Sequence, residues 1–326
     1  MITVALAVFN TEYYLSECLE SILNQTYTDL DVLCIDDCST DNSLSILKKY
    51  REQDNRIRII ERKANEGLAV VRNHSIKEAR GEYLVLLDSD DVYDVTMLKK
   101  AWYIAQRENS DMVMWDYIPF TTEDELAKKK NKLSDLKFLD ASNKIALLQR
   151  PAFTGVKLIK TSIAKNLNIH FPLGYTRQDI PVHWHLIIAA KKISVLPERL
   201  TYYRQQPNAA TAQKNEKLLH LAFIMDITKQ VLTENNYWEI YMKEYFRQQL
   251  NLLFGMLDNI KPDLKDRALE LIKERVTPEH HRYINKGLPV RIQAKWFYQG
   301  LEGNKTAKLK YTCWIVLRKL YRTIKR

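Results

Sequence analysis

Glycine is scarce in this chain, with 8 residues in 326. None stands in the first strand-to-helix turn, Phe9-Asn10-Thr11-Glu12-Tyr13, and no GxxxxGK stretch occurs, so dinucleotide-binding and P-loop architectures are disfavoured. Cysteine is sparser still. Cys18, Cys34, Cys38 and Cys313 form no CxxC pair, which offers no convincing zinc site and favours a reducing compartment. There is no uninterrupted apolar run of about eighteen residues, the length a membrane-spanning helix needs. The chain opens directly into the apolar residues 2–9 without the basic leader of a signal peptide, and a cytoplasmic location is expected. Acidic residues are missing from 303–326, where 8 basic residues lie; of the net charge of +10 these account for all but +2. Basicity belongs to a tail rather than to the fold, which argues against a nucleic-acid partner.

What the chain does have is Gly81-Glu-Tyr-Leu-Val-Leu-Leu-Asp88-Ser-Asp90-Asp91-Val-Tyr93. The apolar run 83–87 reads as a buried strand that delivers three carboxylates at its C-terminal end. Ionised carboxylates need water, a partner or a cation to offset desolvation, so they belong at the mouth of a sheet. Asp88 and Asp90 can reach a common point there, and hard oxygen ligands suit Mg²⁺ or Mn²⁺ bridging to phosphates. The competing reading is an acidic first turn for a helix starting near Asp94.

Further apolar strands are expected at 3–9, 30–35 and 56–61, with helical spacing at 14–25, 44–50 and 69–79. Helix-length connections between buried strands imply parallel pairing and right-handed crossovers, hence a doubly wound, mostly parallel α/β sheet. Ligands bind beyond the carboxyl ends of such strands, and Asn10, Asp36-Asp37 and Asp88-Ser-Asp90 all end on that rim. Another strand is expected at 111–117, then a charged loop or short helices at 121–137, and an apolar stretch at 151–159 that rejoins the sheet. A strand at 193–196 leads to a turn at Pro197-Glu198. From 212 to 275 the spacing is helical, with Pro262 and Pro278 dividing the packed helices; the aromatics around Trp238, Tyr241, Tyr245 and Phe246 read as core. The division expected is 1–117, 118–210, a helical C-terminal module at 211–302 and a basic amphipathic tail at 303–326.

Taken in order, residues 4–10, Ser21-Ile-Leu-Asn-Gln-Thr-Tyr27, Val32-Leu-Cys-Ile-Asp-Asp-Cys-Ser-Thr-Asp-Asn-Ser43, Asn65-Glu-Gly-Leu-Ala-Val-Val-Arg-Asn73 and 81–91 resemble the successive signatures of family 2 glycosyltransferases of the GT-A fold. The resemblance implies an inverting, metal-dependent enzyme that moves a sugar from a nucleotide-diphospho-sugar to a glycan or lipid-linked acceptor, typically in bacterial surface polysaccharide synthesis. It places Phe9 and Asn10 beside the base, Asp37 as acceptor of the base N3–H, and Asp36 shaping the same pocket. A carboxylate suits uracil, whose N3–H is a donor flanked by carbonyls, and so favours a UDP-sugar. Arg72 is implied at the nucleotide, Asp88 at the ribose or sugar, Asp90 at a Mn²⁺ or Mg²⁺ ion, with Asp91 as a second ligand or as a carboxylate orienting the loop. Asp179 in Arg177-Gln178-Asp179 matches the catalytic base, Gln178 replacing the usual Glu, and Arg204 matches a residue that closes over the diphosphate. The plainer alternatives are an Asx turn for Asp36 and Asp37, ion pairs for Arg72 and Arg204, and a helix cap for Asp179.

The chain departs from the commonest pattern in having no proline before Phe9-Asn10. It also has Cys38 where glycine is usual, which implies an ordinary negative φ or a tolerated strain there. His183 and His185, two apart on a helix, point to different faces and do not make a metal pair; a packed or surface histidine is the plainer reading, with an approach of either to the diphosphate or the acceptor as the alternative. A non-catalytic sugar-binding or assembly protein on the same scaffold is the competing function, and the joint presence of Asp37, Asp88, Asp90 and Asp179 argues against it. In the tail, Leu309, Cys313, Val316, Leu317, Leu320, Tyr321 and Ile324 recur at helical spacing beside a cationic side. That pattern fits an anionic membrane surface, at the inner face of the membrane, a second subunit in a homo-oligomer, or the chain's own helical module.

Overall fold

The N-terminal strands form where β-branched and leucine residues run without interruption. In the computed structural model, which describes residues 1–130, 140–206 and 214–324, these are β1 (Ile2–Val8), β2 (Leu30–Asp36), β3 (Ile57–Glu61) and β4 (Tyr83–Asp88). They alternate with α1 (Glu12–Leu23), α2 (Ser43–Gln53) and α3 (Leu68–Glu78). β1 pairs in parallel with β2 on one side and β4 on the other, and β3 extends the sheet beyond β2. Because all four run the same way, the polar residues that end β1, β2 and β4 share one rim.

β5 (Val92–Tyr93) and α4 (Met97–Glu108) follow, then β6 (Met112–Phe120), α5 (Glu123–Lys130), α6 (Lys144–Leu148), β7 (Lys157–Lys160), α7 (Thr161–Asn166), α8 (Asp179–Ala189) and β8 (Ile193–Arg204). The sheet order is β3-β2-β1-β4-β7-β6-β8-β5. β7 is antiparallel to both β4 and β6, whereas β6 and β8 are parallel, so the sheet is mixed but mostly parallel. This is a GT-A-type sheet followed by a helical module. Residues 151–159 rejoin the sheet through β7. Of the charged stretch 121–137, residues 131–137 lie outside the described residues, as do Pro207 and Asn208.

The expected turn at Pro197-Glu198 does not form, because β8 runs straight through it. Between the pairs Met114–Val195 and Asp116–Arg199, three residues of β8 face one of β6. That irregularity is where a proline without an N–H costs the ladder least.

Gly81 marks a close backbone approach to β1. A Cβ there would stand 2.4 Å from the Thr3 nitrogen. The Thr3 hydroxyl accepts from the Arg80 and Gly81 N–H groups and donates to Asp31, which Arg58 holds with two hydrogen bonds at 2.6 and 2.9 Å.

The chain separates into residues 1–212 and 213–326. The second unit is helical: α9 (His220–Glu234), α10 (Trp238–Asn259), α11 (Lys265–Arg275), α12 (Pro278–Asn285), α13 (Ile292–Leu301) and α14 (Lys305–Ile324). Tyr245 and Phe246 are buried, and Phe246 contacts the rings of Trp238, His280 and Tyr283. Of the expected core aromatics, Tyr245 and Phe246 are core, and Trp238 and Tyr241 are partly buried. Among the described residues no helix is long and apolar enough to cross a membrane.

His280 supplies an acid-sensitive point in this core. Its Nδ1 accepts from the Thr277 N–H, so Nε2 carries the proton and donates to Gln249 at 2.8 Å. Burial lowers its pKa from 6.5 to about 4. The fold favours the neutral ring, so this stability is complete above about pH 6.5 and is lost as pH falls toward about 4, a change of about 3 kcal/mol. Urea denaturation across that range should show the loss, and His280→Gln should flatten it. An equally steep loss in the variant would place the acid sensitivity elsewhere.

Candidate active site

Hydrogen bonds join the loops after β1 and β2. The Asn10 N–H donates to the Ser39 hydroxyl at 3.1 Å, and the Asn10 side chain accepts from the Thr40 N–H at 2.8 Å. The Thr11 N–H donates to Ser43 at 2.9 Å and the Glu12 N–H to Asp41 at 3.0 Å. Asn10 thus organises the loop, at a φ of +51°, while the Phe9 ring beside it is 45% exposed. Cys38 has a φ of +62°, so the left-handed conformation persists without glycine. Of the two expectations for Cys38, the strained one is realised, at a cost of about 1–2 kcal/mol.

Asp36 and Asp37 are both buried at the end of β2. One Asp36 oxygen accepts from the Ser39 N–H at 3.1 Å, and the other, Oδ1, is buried with no hydrogen-bond partner. The Asp37 oxygens accept from the Glu66 and Gly67 N–H groups at 3.1 and 2.7 Å, and Arg62 lies 3.2 Å away. Asp37 therefore also braces the loop into α3. Arg62 was not foreseen, since its partner lies 25 positions back across two elements.

Two neighbours on α3 connect the halves of the site. Arg72 donates to the Asp88 carboxylate at 2.8 Å and lies 5.4 Å from the centre of the Phe171 ring. Asn73 grips the Phe171 backbone twice, donating to its carbonyl at 2.9 Å and accepting from its N–H at 2.7 Å. The segment that leads to Asp179 is thereby fixed to the same helix that holds Asp88. The sequence motif contains Asn73, but nothing in it points to a partner 98 positions away.

The acidic loop after β4 is held by β8 and its own tyrosine. The Tyr93 hydroxyl donates to the Asp88 carbonyl at 2.9 Å and accepts from the Asp88 N–H at 3.0 Å. The Arg204 N–H donates to Asp91 at 2.8 Å and the Arg204 Nε to the Asp90 carbonyl at 3.0 Å. The rest of the guanidinium reaches Glu17 at 2.6 Å and Glu123 at 3.2 Å, with the Tyr14 and Phe120 rings 4.9 and 4.6 Å from its carbon. Arg204 was expected at the diphosphate. Here its fork is engaged by protein carboxylates and its faces by aromatic rings, so it clamps the acidic loop.

Burial, then the charge of Asp88, pushes the Asp90 pKa up to about 6. Asp91 is driven well above the carboxylate range by burial and by Asp90 and Asp88. Gln206 donates to one Asp90 oxygen at 2.9 Å, and Asp91 Oδ2 is buried without a hydrogen-bond partner. Among the described residues no group of three or more His, Cys, Asp or Glu side chains is placed to hold a metal. The donor set nevertheless fits a divalent cation. Mg²⁺ takes one or two carboxylates and completes its shell with substrate phosphates and water, and the crowded negative charge here is what a cation offsets. Asp90 is the better placed carboxylate, since Asp91 is fully buried and turned toward the Arg204 backbone.

Asp179 is the first residue of α8, with Gln178 at the cap position. Its charge there is favoured by the helix dipole. It is half-buried, and among the described residues its carboxylate accepts no hydrogen bond. Behind it lies Lys157, fully buried, whose ammonium donates to the Ala152 and Phe153 carbonyls. Burial lowers the Lys157 pKa to about 7, with the Asp179 charge opposing the shift. Its one signal in the sequence is a lysine at the start of an apolar stretch. His183 is buried and its pKa is lowered well below the usual value by burial, so it packs as a neutral ring.

The sheet is thus of the GT-A type, with an acidic loop at its carboxyl rim and Asp179 opening α8. Residues 3–167 match glycosyl transferase family 2, and the chain belongs to that family. It is similar to the glycosyltransferase GlyG of Streptococcus pneumoniae TIGR4, at 31% identity over 63% of this chain and 71% of that one. It is also 34% identical to the poly(ribitol-phosphate) beta-glucosyltransferase of Bacillus spizizenii W23, over 62% of this chain and 32% of that longer protein. The crystal structure of Staphylococcus aureus TarS 1–349 in complex with UDP superposes with a TM-score of 0.69, covering 95% of this chain and 87% of that one at 22% identity. The chain is accordingly a glycosyltransferase that moves a sugar from a nucleotide-sugar donor to an acceptor.

Proposed function

We propose that the chain is an inverting glycosyltransferase that uses a UDP-sugar, with a glycan or lipid-linked acceptor, in surface polysaccharide synthesis at the cytoplasmic face of the membrane. The observation that carries the reading is the double tie from α3, in which Arg72 holds Asp88 and Asn73 holds the segment leading to Asp179. Asp88 and the Phe171 backbone, eight residues before Asp179, are thus held by adjacent residues of one helix. The exposed Phe9 ring suits stacking on a base, with Asn10 shaping its loop; the Asp37 oxygens, expected at the base N3–H, already accept from the Glu66 and Gly67 N–H groups, so the unpartnered Asp36 oxygen beside them is the one proposed for a base N–H. Arg72 and Asp88 face the nucleotide and its sugar, while Arg204 acts from behind by holding the acidic loop.

In this reading Asp179 takes the proton from the acceptor hydroxyl as its oxygen attacks the sugar C1 and the bond from C1 to the diphosphate breaks. One in-line displacement inverts the anomeric centre. A bound Mn²⁺ or Mg²⁺ ion, held by Asp90 with Asp91 behind it, would neutralise the departing diphosphate.

A panel of nucleotide sugars, read by released nucleotide with and without acceptor glycans, tests the assignment. UDP-sugars should release UDP slowly alone and faster with acceptor. Preference for a guanosine or cytidine donor would overturn the base assignment, and no release from any donor would overturn transfer.

A further inference from the structure

Helix α14 has two apolar faces, and among the described residues only one of them is packed against the helical unit. Ala307, Tyr311, Trp314 and Arg318 turn toward the helical unit. Ala307 is buried, and the Tyr311 ring lies 5.3 Å from that of Phe297 and 6.1 Å from that of Phe254. Trp314 stacks on Tyr311 at 5.8 Å, and Arg318 covers the Trp314 ring at 5.0 Å while pairing with Asp258. These four recur at three- and four-residue steps, one side of a helix that turns about 100° per residue. Leu309, Cys313, Val316 and Leu317 fall on the opposite side. Leu309 is 64% exposed, Val316 51% and Leu317 66%, and Cys313 is exposed beside them. The described part of the apolar stripe legible in the sequence, Leu309 to Leu317, is therefore not what docks the helix; the side chains of Leu320, Tyr321 and Ile324 lie outside the described ones.

We propose that this outward face of α14 binds an anionic lipid surface. Exposed Lys305, Lys308 and Lys310 lie on the same helix, and residues 303–326 carry 8 basic and no acidic residues. An apolar stripe with lysines beside it matches a bilayer interface, where the leucines enter the acyl boundary and the ammonium groups stay among the headgroups. A second copy of the chain fits less well. A twofold contact would set the same lysine-rich surface against itself with no acidic residue of the segment to offset it. The inference stands on the tail alone and does not depend on the transfer reading.

The test uses the full chain and two kinds of vesicle: phosphatidylcholine alone, and phosphatidylcholine with an equal part of phosphatidylglycerol. The chain should sediment with the anionic vesicles, bind neutral ones at least about tenfold less, and be released by salt because the lysine contribution is screened. Each exposed lysine changed to glutamine should weaken binding about fivefold. A Leu309→Gln, Val316→Gln, Leu317→Gln variant should lose vesicle binding with its thermal midpoint nearly unchanged, since those side chains are mostly exposed. Trp314→Ala, on the docked side, should lower the midpoint instead. Equal binding to both vesicles, or undiminished binding by the triple variant, would overturn the proposal. So would light scattering that shows a wild-type dimer and a monomeric triple variant, which would assign the face to a second copy.

Discussion

Asp179→Asn should leave donor affinity intact and lower the turnover number at least about 100-fold, the lower end of what a positioned general base supplies. Asparagine matches the carboxylate in size and keeps α8's first turn, so the change removes proton acceptance and little else. The residue is suited to the role because, among the described residues, its oxygens accept no hydrogen bond while it remains partly accessible. A carboxylate whose lone pairs were held by backbone N–H groups, as those of Asp37 are, would have no such freedom. Lys157 adds a second readout. Asp179 raises the pKa of this buried ammonium against the desolvation that lowers it to about 7, so removing the carboxylate should lower it further. Titration of a ¹⁵N-labelled Lys157 ammonium would follow that change, and it distinguishes a charge facing Lys157 from one turned to solvent. A near-normal turnover number would point to another base. Glu198, the next acid along the chain, is a poor replacement because Lys100 already pairs with it.

Local pattern carried most of the N-terminal part of the sheet. The run from Tyr83 to Leu87 is apolar on both faces because β4 is covered on both, and a strand of that kind declares itself without knowledge of its neighbours. What the pattern could not carry were partners distant along the chain. Arg204 reads equally well as a phosphate ligand until Glu17, Glu123 and the Asp90 carbonyl are seen around it. Asn73 reads as a polar helix residue until Phe171 appears opposite it. Pro197-Glu198 has the composition of a turn, and only the uneven pairing with β6 shows that the strand absorbs it. In α14 the periodicity located an apolar stripe but not the docked side, because that side mixes alanine, aromatics and an arginine. Its affinity for the bundle lies in Phe254, Phe297 and Asp258.

Asp90→Asn should abolish cation-dependent donor binding, reduce transfer by at least about 100-fold, and yet make the ligand-free protein more stable. The first two effects follow from removing the carboxylate best placed for a divalent ion. The third follows from linkage. Asp90 ionises at about 6 instead of its ordinary 3.8 because burial and Asp88 oppose its charge. Its protonated form contributes stability that is present below about pH 4 and lost as pH rises through about 6. At neutral pH the ionised side chain therefore costs on the order of 2–3 kcal/mol, which asparagine avoids while still accepting from Gln206. Thermal unfolding without metal should place the variant above the wild type at pH 7.5 and level with it near pH 4. Added Mn²⁺ with UDP should raise the wild-type midpoint and leave the variant where it was, since only a state that binds the ligand is stabilised by it. Asp91→Asn should behave differently. Asp91 accepts from the Arg204 backbone and is fully buried, so an amide there risks setting a donor against that N–H and loosening the loop. Calorimetric Mn²⁺ titrations that are identical in wild type and Asp90→Asn would remove Asp90 from the cation site. A variant less stable than the wild type at pH 7.5 would show that the carboxylate is held by the fold rather than for a ligand.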